Sequence, residues 1–198
     1  MNRWLKIFGI IAILLVCVPA AAEEISIGCY IPMTGSAAAM GQVVWKGIEI
    51  AHSLKPEVLG QKIKLNLVDT KSDKIEAANA VSRLIEKDKV KAIIGEVISG
   101  DTLAGAPIAE RAAIPNITPT ATNPLVTQNR QYAFLACFVD TLQGKVAGRF
   151  AREHLKAQKA AVIIDQAQDY CVGLANYFMQ EFKQLGGQIV ATTYIQTG

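Results

Sequence analysis

A regular alternation of strand patterns and helix patterns is the feature that most constrains how this chain folds. Residues 62–67 alternate Lys or Asn with Ile or Leu, the period of two that is typical of a strand. Residues 73–87 instead place Ile75, Val81 and Leu84 on one helical face. Strands that alternate with helices form a mostly parallel sheet covered by helices on both faces. The pattern therefore predicts an α/β fold.

The alternation continues along the chain from residue 25 to residue 194. It predicts strands over residues 25–32, 62–67, 90–94, 116–118, 132–138, 160–164 and 188–194. It predicts helices over residues 37–54, 73–87, 101–113, 141–156 and 170–185. Ligands of such sheets bind beyond the carboxyl ends of the strands. The candidate binding loops are therefore residues 33–41, 95–101, 118–124 and 166–170.

The first 22 residues have the pattern of a cleaved secretory signal. Two basic residues precede an uncharged run over residues 7–18, and Ala20–Ala22 form an A-x-A cleavage site. A transmembrane anchor is one alternative, but a spanning helix needs about 20 apolar residues. Lipid attachment at Cys17 is another, although Val16 stands where a lipoprotein signal has a small residue. We therefore predict an exported protein.

The charge balance argues against broad electrostatic capture of nucleic acid. The chain carries 20 Lys and Arg against 17 Asp and Glu, and two of the basic residues lie in the leader. The remaining part is nearly neutral, whereas nucleic-acid binding relies on a basic surface. We therefore expect no nucleic-acid partner. Half of the residues (51%) are apolar, which is enough to build a sizeable core.

Sequence signatures of common enzymes and metal sites are missing. The chain has no H-E-x-x-H, G-x-S-x-G or G-x-x-x-x-G-K-[ST] motif. Cys29, Cys137 and Cys171 have no C-x-x-C spacing, and we expect the first two to be small core residues. Asp69 and Asp73 lie among lysines, which favours a solvated turn over a metal site. An exported hydrolase would need a nucleophile with a base. No such pair is visible, so we predict no enzyme, no metal site and no cofactor.

Three loops at the carboxyl edge carry residues with two alternative roles each. Ser99-Gly100-Asp101 opens a helix, where free N–H groups favour an anion, but capping of that helix by Ser99 or Asp101 is the simpler interpretation. Residues 118–124 offer the hydroxyls of three threonines, or form an ordinary strand-to-helix connection. Tyr170 is an aromatic lid over a ligand, or a helix-start residue that faces the core. Local sequence alone leaves these alternatives open.

Six short stretches, in one consistent order, carry a family resemblance. The most specific is Ile114-Pro-Asn-Ile-Thr-Pro-Thr-Ala-Thr-Asn-Pro124. The others are residues 28–35, residues 59–63, residues 92–95 with Ser99, Gln143-Gly144, and Tyr170 with residues 173–175. Together they resemble the exported solute-binding proteins of branched-chain amino acid ABC transporters, the leucine/isoleucine/valine-binding type. The resemblance covers the chain from Glu24 to Gly198.

This resemblance implies a type I periplasmic-binding-protein-like fold, with two α/β lobes around a cleft that closes on a small molecule. By position, residues 1–22 are the signal peptide, 23–138 the first lobe and 139–198 the beginning of the second lobe. Proteins of this family are longer than this chain, so we expect the second lobe to be incomplete here. The acidic residue that pairs with the ligand ammonium would then follow Gly198. The family also implies a periplasmic location, a membrane permease as partner and a monomer when full length.

The resemblance carries four candidate ligand-binding residues over by position. Ser99 matches the serine whose hydroxyl and amide hold the ligand carboxylate. Thr120 matches a position that offers its backbone carbonyl to the ammonium, and Thr122 matches a threonine that contacts both charged ends. Tyr170 matches the second-lobe aromatic that closes over the ligand. Met40 stands where the leucine-type proteins often have an aromatic residue, which leaves the side-chain preference open.

These assignments imply a protein that captures a zwitterion, a branched-chain or related amino acid, and delivers it to an ABC transporter. Hydroxyls, a helix N-terminus and backbone carbonyls can pair both charges of such a ligand with little net protein charge. A ligand-sensing domain on the same fold, which binds amides or small carboxylates, is the alternative. A sensor would have no permease partner.

Cleavage after Ala22 predicts a mature protein that begins at Glu23. N-terminal sequencing of the exported protein is the direct measurement. A mature N-terminus at a lipid-modified Cys17 would contradict the prediction and would tether the protein to the membrane.

Overall fold

The computed structural model describes residues 24–196, and the predicted signal peptide lies outside these residues. Eight strands and five α-helices lie within the described part. The strands are β1 (Ile25–Ile31), β2 (Glu57–Val58), β3 (Gln61–Asp69), β4 (Ala92–Gly95), β5 (Asn116–Thr118), β6 (Ala133–Leu135), β7 (Lys159–Asp165) and β8 (Gln188–Ile195). The helices are α1 (Ala38–Leu54), α2 (Lys74–Glu86), α3 (Ser99–Arg111), α4 (Asp140–Arg149) and α5 (Asp169–Gln184). No helix within this part has the length and apolarity needed to cross a membrane.

The strands form one large sheet and one small sheet. The large sheet has the order β2-β3-β1-β4-β5-β6, and its five longer strands run parallel. Only the two-residue β2 pairs antiparallel, with β3 at the sheet edge. β7 and β8 form a separate parallel sheet. The predicted α/β class, with mostly parallel sheets flanked by helices, is therefore confirmed.

The segment that connects the two sheets contains the predicted boundary between the lobes. The large sheet ends at Leu135 and the small sheet begins at Lys159, while α4 starts at Asp140. The predicted boundary between residues 138 and 139 thus falls in the segment that leads into α4. The assignment of residues 23–138 and 139–198 to two lobes stays a prediction.

Side chains of β1 alternate between the two faces of the large sheet. On one face, Tyr30 packs with buried residues of α2, α3 and the β4 region, which are Ala77, Ala80, Val81, Leu84, Val90, Ile93 and Ala109. On the other face, Cys29 and Ile31 pack with Val97 and with side chains that include Val44 and Ile48 of α1. The expectation that Cys29 is a small core residue is confirmed, since it is fully buried. Cys137 is only half-buried.

The loop after β1 is held close to α1. A Cβ atom at Gly41 would lie 2.0 Å from the Pro32 carbonyl oxygen, so only glycine allows this approach. Asp69, at the end of β3, accepts hydrogen bonds from the Met33 N–H at 2.9 Å and from the Thr34 hydroxyl at 2.7 Å. The side chain of Asp69 therefore serves this loop, which also positions the start of α1.

The two helices beside the small sheet, α4 and α5, pack closely against each other. A Cβ atom at Gly144 would lie 2.5 Å from Tyr177 Cβ, so the absence of a side chain permits the contact. Arg149 Nη2 of α4 donates to Glu181 Oε1 of α5 at 3.2 Å. This packing places Gln143 of α4 beside the first turn of α5.

Several observed elements differ from the predicted ones, and a short 3-10 helix over Pro124–Val126 lies in a stretch predicted as loop. β2 was not predicted, because two residues are too few to show a period. β6 spans residues 133–135 rather than 132–138, since the chain turns away from the sheet before α4. The helix predicted over 141–156 is α-helical only to Arg149, and a π-helical turn over Phe150–His154 follows it.

A substitution at Leu84 tests the packing of α2 on the large sheet. It is fully buried, and we expect Leu84→Ala to lower the free energy of unfolding by about 2–5 kcal/mol, because the substitution leaves a cavity. Ile75→Ala on the same helix is the matched control, since Ile75 is 72% exposed. Denaturant unfolding of both variants is the measurement. Equal losses for the two variants would contradict the packing described above.

Candidate ligand-binding site

All four predicted site residues line one cleft of about 420 Å³. The cleft is bordered by the β4–α3 loop, the loop after β5, and the starts of α1, α4 and α5. Its lining residues are Met40, Val97, Ile98, Ser99, Thr120, Thr122, Phe138, Gln143, Gln168 and Tyr170. The structure thus brings Ser99, Thr120, Thr122 and Tyr170 together, although their contact with a ligand stays a prediction.

Ser99 occupies the first position of α3. The residue that caps this helix is Ile98, and no side chain caps it, so the interpretation of Ser99 or Asp101 as helix caps is wrong. Ser99 is almost fully buried and its side chain faces the cleft. The N-terminus of α3 carries the partial positive charge of the helix dipole, which stabilises an anion. This end of α3 is therefore suited to a carboxylate.

A buried carboxylate, Glu96, holds the loop between β4 and α3. Its Oε2 accepts hydrogen bonds from the N–H groups of Val97 and Ile98, and its Oε1 accepts one from the Thr70 hydroxyl at 2.7 Å. Burial raises the pKa of Glu96 from its ordinary value of 4.5 to about 7, although these hydrogen bonds oppose the rise. The side chain of Glu96 thereby fixes the backbone that leads into Ser99.

The loop after β5 is fastened to the same backbone. The Thr118 hydroxyl donates to the Glu96 carbonyl oxygen and accepts from the Ala121 N–H at 3.0 Å. The Thr120 hydroxyl donates to the Val97 carbonyl oxygen at 3.0 Å. The role carried over to Thr120 concerns its own carbonyl, and the hydroxyl contact holds that residue at the edge of the cleft.

Thr122 lies beside the start of α4, where its carbonyl oxygen accepts a hydrogen bond from the Asp140 N–H at 2.9 Å. Its hydroxyl is buried and has no hydrogen-bond partner of good geometry among residues 24–196, and the same holds for both carboxylate oxygens of Asp140. Burial raises the pKa of Asp140, and the nearby Thr122 hydroxyl partly offsets the rise. Buried polar groups normally have partners. The Thr122 hydroxyl therefore lies beside the Asp140 carboxylate at the edge of the cleft.

Tyr170 faces the cleft from the first turn of α5. Its hydroxyl accepts a hydrogen bond from Gln143 Nε2 at 3.2 Å, which ties the ring to α4. The interpretation of Tyr170 as a residue that lines a cleft is favoured over a core position, since it is only half-buried. Gln143 is thus a positioning neighbour of Tyr170 as well as a lining residue.

Sequence reasoning assigned no role to Phe138, Val97, Ile98 or Gln168 of the cleft. Gln168 falls within the loop 166–170 that the strand pattern marks as a candidate, so position along the chain was the available signal. Phe138 lies in a stretch predicted as a strand, and nothing in its periodicity indicates a cleft. Its side chain is 60% exposed, which is unusual for a large aromatic residue.

A second hollow of about 460 Å³ lies along α1, and none of the four predicted residues lines it. Its walls are almost entirely apolar and include Ile27, Val44, Ile48, Ile63 and Leu65. A ligand site normally combines apolar walls with a few placed polar groups that orient the ligand. The hydroxyl-lined cleft between the loops is therefore the better candidate for a polar ligand, although the apolar hollow is slightly larger.

Metal-ligand clusters are not found in the described part of the chain. No three side chains of His, Cys, Asp or Glu within residues 24–196 come together as a metal site. Asp73 accepts hydrogen bonds from the N–H groups of Ile75 and Glu76 and so caps α2. Asp69 holds the Lys71 N–H of the turn as well as the loop after β1, so both carboxylates bind backbone groups.

A family comparison identifies the fold. Residues 24–198 match the family described as Periplasmic binding protein. The chain belongs to this family. The type I periplasmic-binding-protein-like fold expected from the sequence motifs is thereby confirmed, and so is the recognised family.

Individual periplasmic binding proteins match the chain over about half of their own length. An amino acid binding protein of Pseudomonas aeruginosa is 34% identical over 170 residues, which are 84% of this chain and 45% of the relative. The leucine binding protein LivK of Thermotoga maritima is 49% identical, with a TM-score of 0.86 over 88% of this chain and 49% of that chain. LivJ of Streptococcus pneumoniae, solved in complex with isoleucine, is 34% identical, with a TM-score of 0.81 over 89% of this chain and 51% of that chain.

The ligands of structural neighbours are not all amino acids. A solute-binding protein of Rhodopseudomonas palustris, solved with 3,4-dihydroxybenzoic acid, is 25% identical, with a TM-score of 0.81 over 87% of this chain and 47% of that chain. A carboxylate group is common to this ligand and to isoleucine. The shared fold therefore does not define the ligand beyond its carboxylate group, and the residues of the cleft must select the remainder.

The raised pKa of Glu96 predicts a pH dependence of stability. The folded protein holds a proton on Glu96 up to about pH 7, whereas the unfolded chain loses it near pH 4.5. The contribution of this group to the free energy of unfolding is therefore largest below pH 4.5 and falls as the pH rises to 7, by roughly 3 kcal/mol. Chemical unfolding of the wild type and Glu96→Gln across this range measures the difference.

The control for this pH series is Glu49→Gln, which removes an exposed carboxylate on α1. The stability difference between wild type and Glu96→Gln should fall across the range, whereas the difference from Glu49→Gln should stay flat. A flat difference for Glu96→Gln as well would show that Glu96 is not held in its protonated form.

Proposed function

We propose that this protein captures a small zwitterionic ligand, a branched-chain or related amino acid, and delivers it to an ABC transporter. The observation that carries the proposal is the convergence of Ser99, Thr120, Thr122 and Tyr170 from three separate loops on one cleft. The names of the leucine- and isoleucine-binding relatives support the same ligand class.

The chemistry of the cleft suits a ligand with two opposite charges. No charged side chain is among the described residues that line it, so neither sign of charge is favoured by the lining itself. The start of α3, with Ser99 and the nearby Thr122 hydroxyl, offers donors to a carboxylate. The Thr120 carbonyl would accept from the ammonium group. Met40, Val97 and Phe138 supply apolar surface for a hydrocarbon side chain.

Capture would proceed by closure of the second lobe over the ligand. Tyr170 stands at the first turn of α5 and would cover a ligand bound to the loops of the large sheet. A ligand that contacts both lobes shifts the population toward the closed form, because it binds that form more tightly. The closed form would then be the species that the membrane permease recognises.

The proposal also covers the location and the absence of catalysis. The family binds solutes rather than transforming them, so we propose a binding protein and not an enzyme. Its family points to the periplasm, which agrees with the secretory pattern of the first 22 residues. Cleavage of that leader belongs to the proposal, since those residues lie outside the described part.

A sensor of small carboxylates on the same fold is the second candidate. The benzoate-type ligand of the Rhodopseudomonas palustris neighbour is consistent with a carboxylate ligand that lacks an ammonium group, but that neighbour is itself a solute-binding protein of an ABC transporter. Calorimetry of the purified full-length protein against common amino acids, short amides, and aliphatic and aromatic carboxylates distinguishes the two ligand classes. Binding of an α-amino acid supports the proposal, whereas binding of amides or carboxylates alone supports the sensor.

The site assignment predicts large losses of affinity from single hydroxyl deletions. A hydrogen bond to a charged group contributes about 1.5–3 kcal/mol, so Ser99→Ala or Thr122→Ala should weaken amino-acid binding by roughly ten- to a hundredfold. Tyr170→Ala should also weaken binding, because the closed form loses its cover. Isothermal titration calorimetry measures all three variants.

The control variant for this series is Ser53→Ala, which removes an exposed hydroxyl on α1 far along the chain from the cleft loops. Its amino-acid affinity should equal that of the wild type. Unchanged affinity in both Ser99→Ala and Thr122→Ala, in a protein that does bind an amino acid, would place the ligand elsewhere.

A further inference from the structure

An ion pair joins the region of the large sheet to the region of the small sheet. Lys74 Nζ, at the start of α2, lies 2.7 Å from Asp169 Oδ2, at the start of α5. The other ion pairs formed within residues 24–196 stay on one side or the other. This pair therefore acts between two parts of the chain that are 95 residues apart.

The pair rests on the first turn of α3, where a glycine makes room for it. A Cβ atom at Gly100 would lie 2.6 Å from Lys74 Cε and 2.7 Å from Asp169 Oδ2. Asn123 adds a second contact, since its Nδ2 donates to the Asp169 carbonyl oxygen at 3.3 Å. We call Lys74, Gly100, Asn123 and Asp169 the interlobe cluster.

Three members of the interlobe cluster are sequence neighbours of predicted site residues. Gly100 follows Ser99, Asn123 follows Thr122, and Asp169 precedes Tyr170. Contacts within the cluster therefore fix the relative positions of the three loops that supply those site residues. The cluster members themselves are not among the residues that line the cleft.

Lys74 supplies the positive charge that offsets the carboxylates around the interlobe cluster. Asp101, buried beside Gly100, has its pKa raised to about 6, first by burial and also by the charges of Asp73 and Asp169, while Lys74 opposes the rise. One cation thus stands among three carboxylates. Without it, mutual repulsion would push Asp169 away from the start of α3.

We propose that Lys74 and Asp169 are a positioning pair that holds Tyr170 over the Ser99 end of α3 and so sets the affinity of the cleft without touching the ligand. This inference rests on the proposed function, since it assumes that the cleft binds the ligand. The effect of the pair is to hold Tyr170 in place over the cleft. Loss of the pair therefore speeds ligand release more than it slows association.

The first experiment compares two ion pairs of the same kind. Lys71 and Glu76 lie 3.0 Å apart with side chains 59% and 41% exposed, against 53% and 43% for Lys74 and Asp169, but both belong to the region of the large sheet. We expect Lys74→Met and Asp169→Asn to weaken amino-acid binding about three- to tenfold by faster dissociation, with Lys71→Met unchanged. Equal affinities in Lys74→Met and Lys71→Met would overturn the proposal.

A second pair of variants tests the contact through shape instead of charge. Gly100→Ala places a methyl group against Lys74 and Asp169, whereas Gly47→Ala on α1 places one in open space, with no atom within 4 Å. Both changes remove one helical glycine. The proposal expects weaker binding only in Gly100→Ala, and equal affinities would count against it.

Charge reversal separates positioning from a general loss of structure. The double variant Lys74→Asp with Asp169→Lys should recover part of the affinity lost in each single reversal, because the attraction is restored. Recovery stays partial, since a lysine at the start of α5 opposes the helix dipole. No recovery, together with a lower melting temperature of each ligand-free single variant, would show that the pair only maintains the fold.

Amide hydrogen exchange tests the Lys74–Asp169 ion pair without any ligand. In the ligand-free protein, amides of the first turn of α5 should exchange faster in Lys74→Met than in Lys71→Met. If no amino acid binds the wild type, the proposed function fails while this comparison still tests the contact. Identical exchange in the two variants would overturn the positioning role, whatever the protein binds.

Discussion

The site depends on one buried residue, Glu96, because it connects the ends of three strands of the large sheet, β3, β4 and β5. Its carboxylate receives the Thr70 hydroxyl from the segment after β3 and two backbone N–H groups that lead into α3. Its carbonyl oxygen receives the Thr118 hydroxyl from the end of β5. Burial makes the charged form of the Glu96 carboxylate unfavourable, and the pKa of this group is raised for that reason. The cleft loops are thus built outward from one hydrogen-bonded centre.

Much of the fold follows from local sequence. The alternation of apolar and polar side chains in residues 62–67 marks β3, and the helical face through Val81 and Leu84 marks α2, whose buried residues agree with it. The parallel order of the strands then brings their carboxyl ends to one edge. Ser99, Thr120 and Thr122 meet in the cleft for this reason, and chain topology alone was enough to group them.

The features that local sequence did not predict depend on contacts between residues that are distant in the sequence. Nothing near Lys74 indicates that its partner is Asp169, and nothing near Gln143 indicates Tyr170. Local sequence also favoured a capping role for Ser99, whereas Ile98 is the capping residue and no side chain takes that role. A capping preference is a local energy of about 1 kcal/mol. The backbone that precedes Ser99 is instead held by two hydrogen bonds to Glu96.

A structure of the protein with a bound α-amino acid tests the central claim most directly. The account predicts both carboxylate oxygens of the ligand within hydrogen-bonding distance of the start of α3, with the Ser99 and Thr122 hydroxyls as donors and the Tyr170 ring on the opposite side. An amino acid seated in the apolar hollow along α1, with the hydroxyl-lined cleft empty, would contradict it.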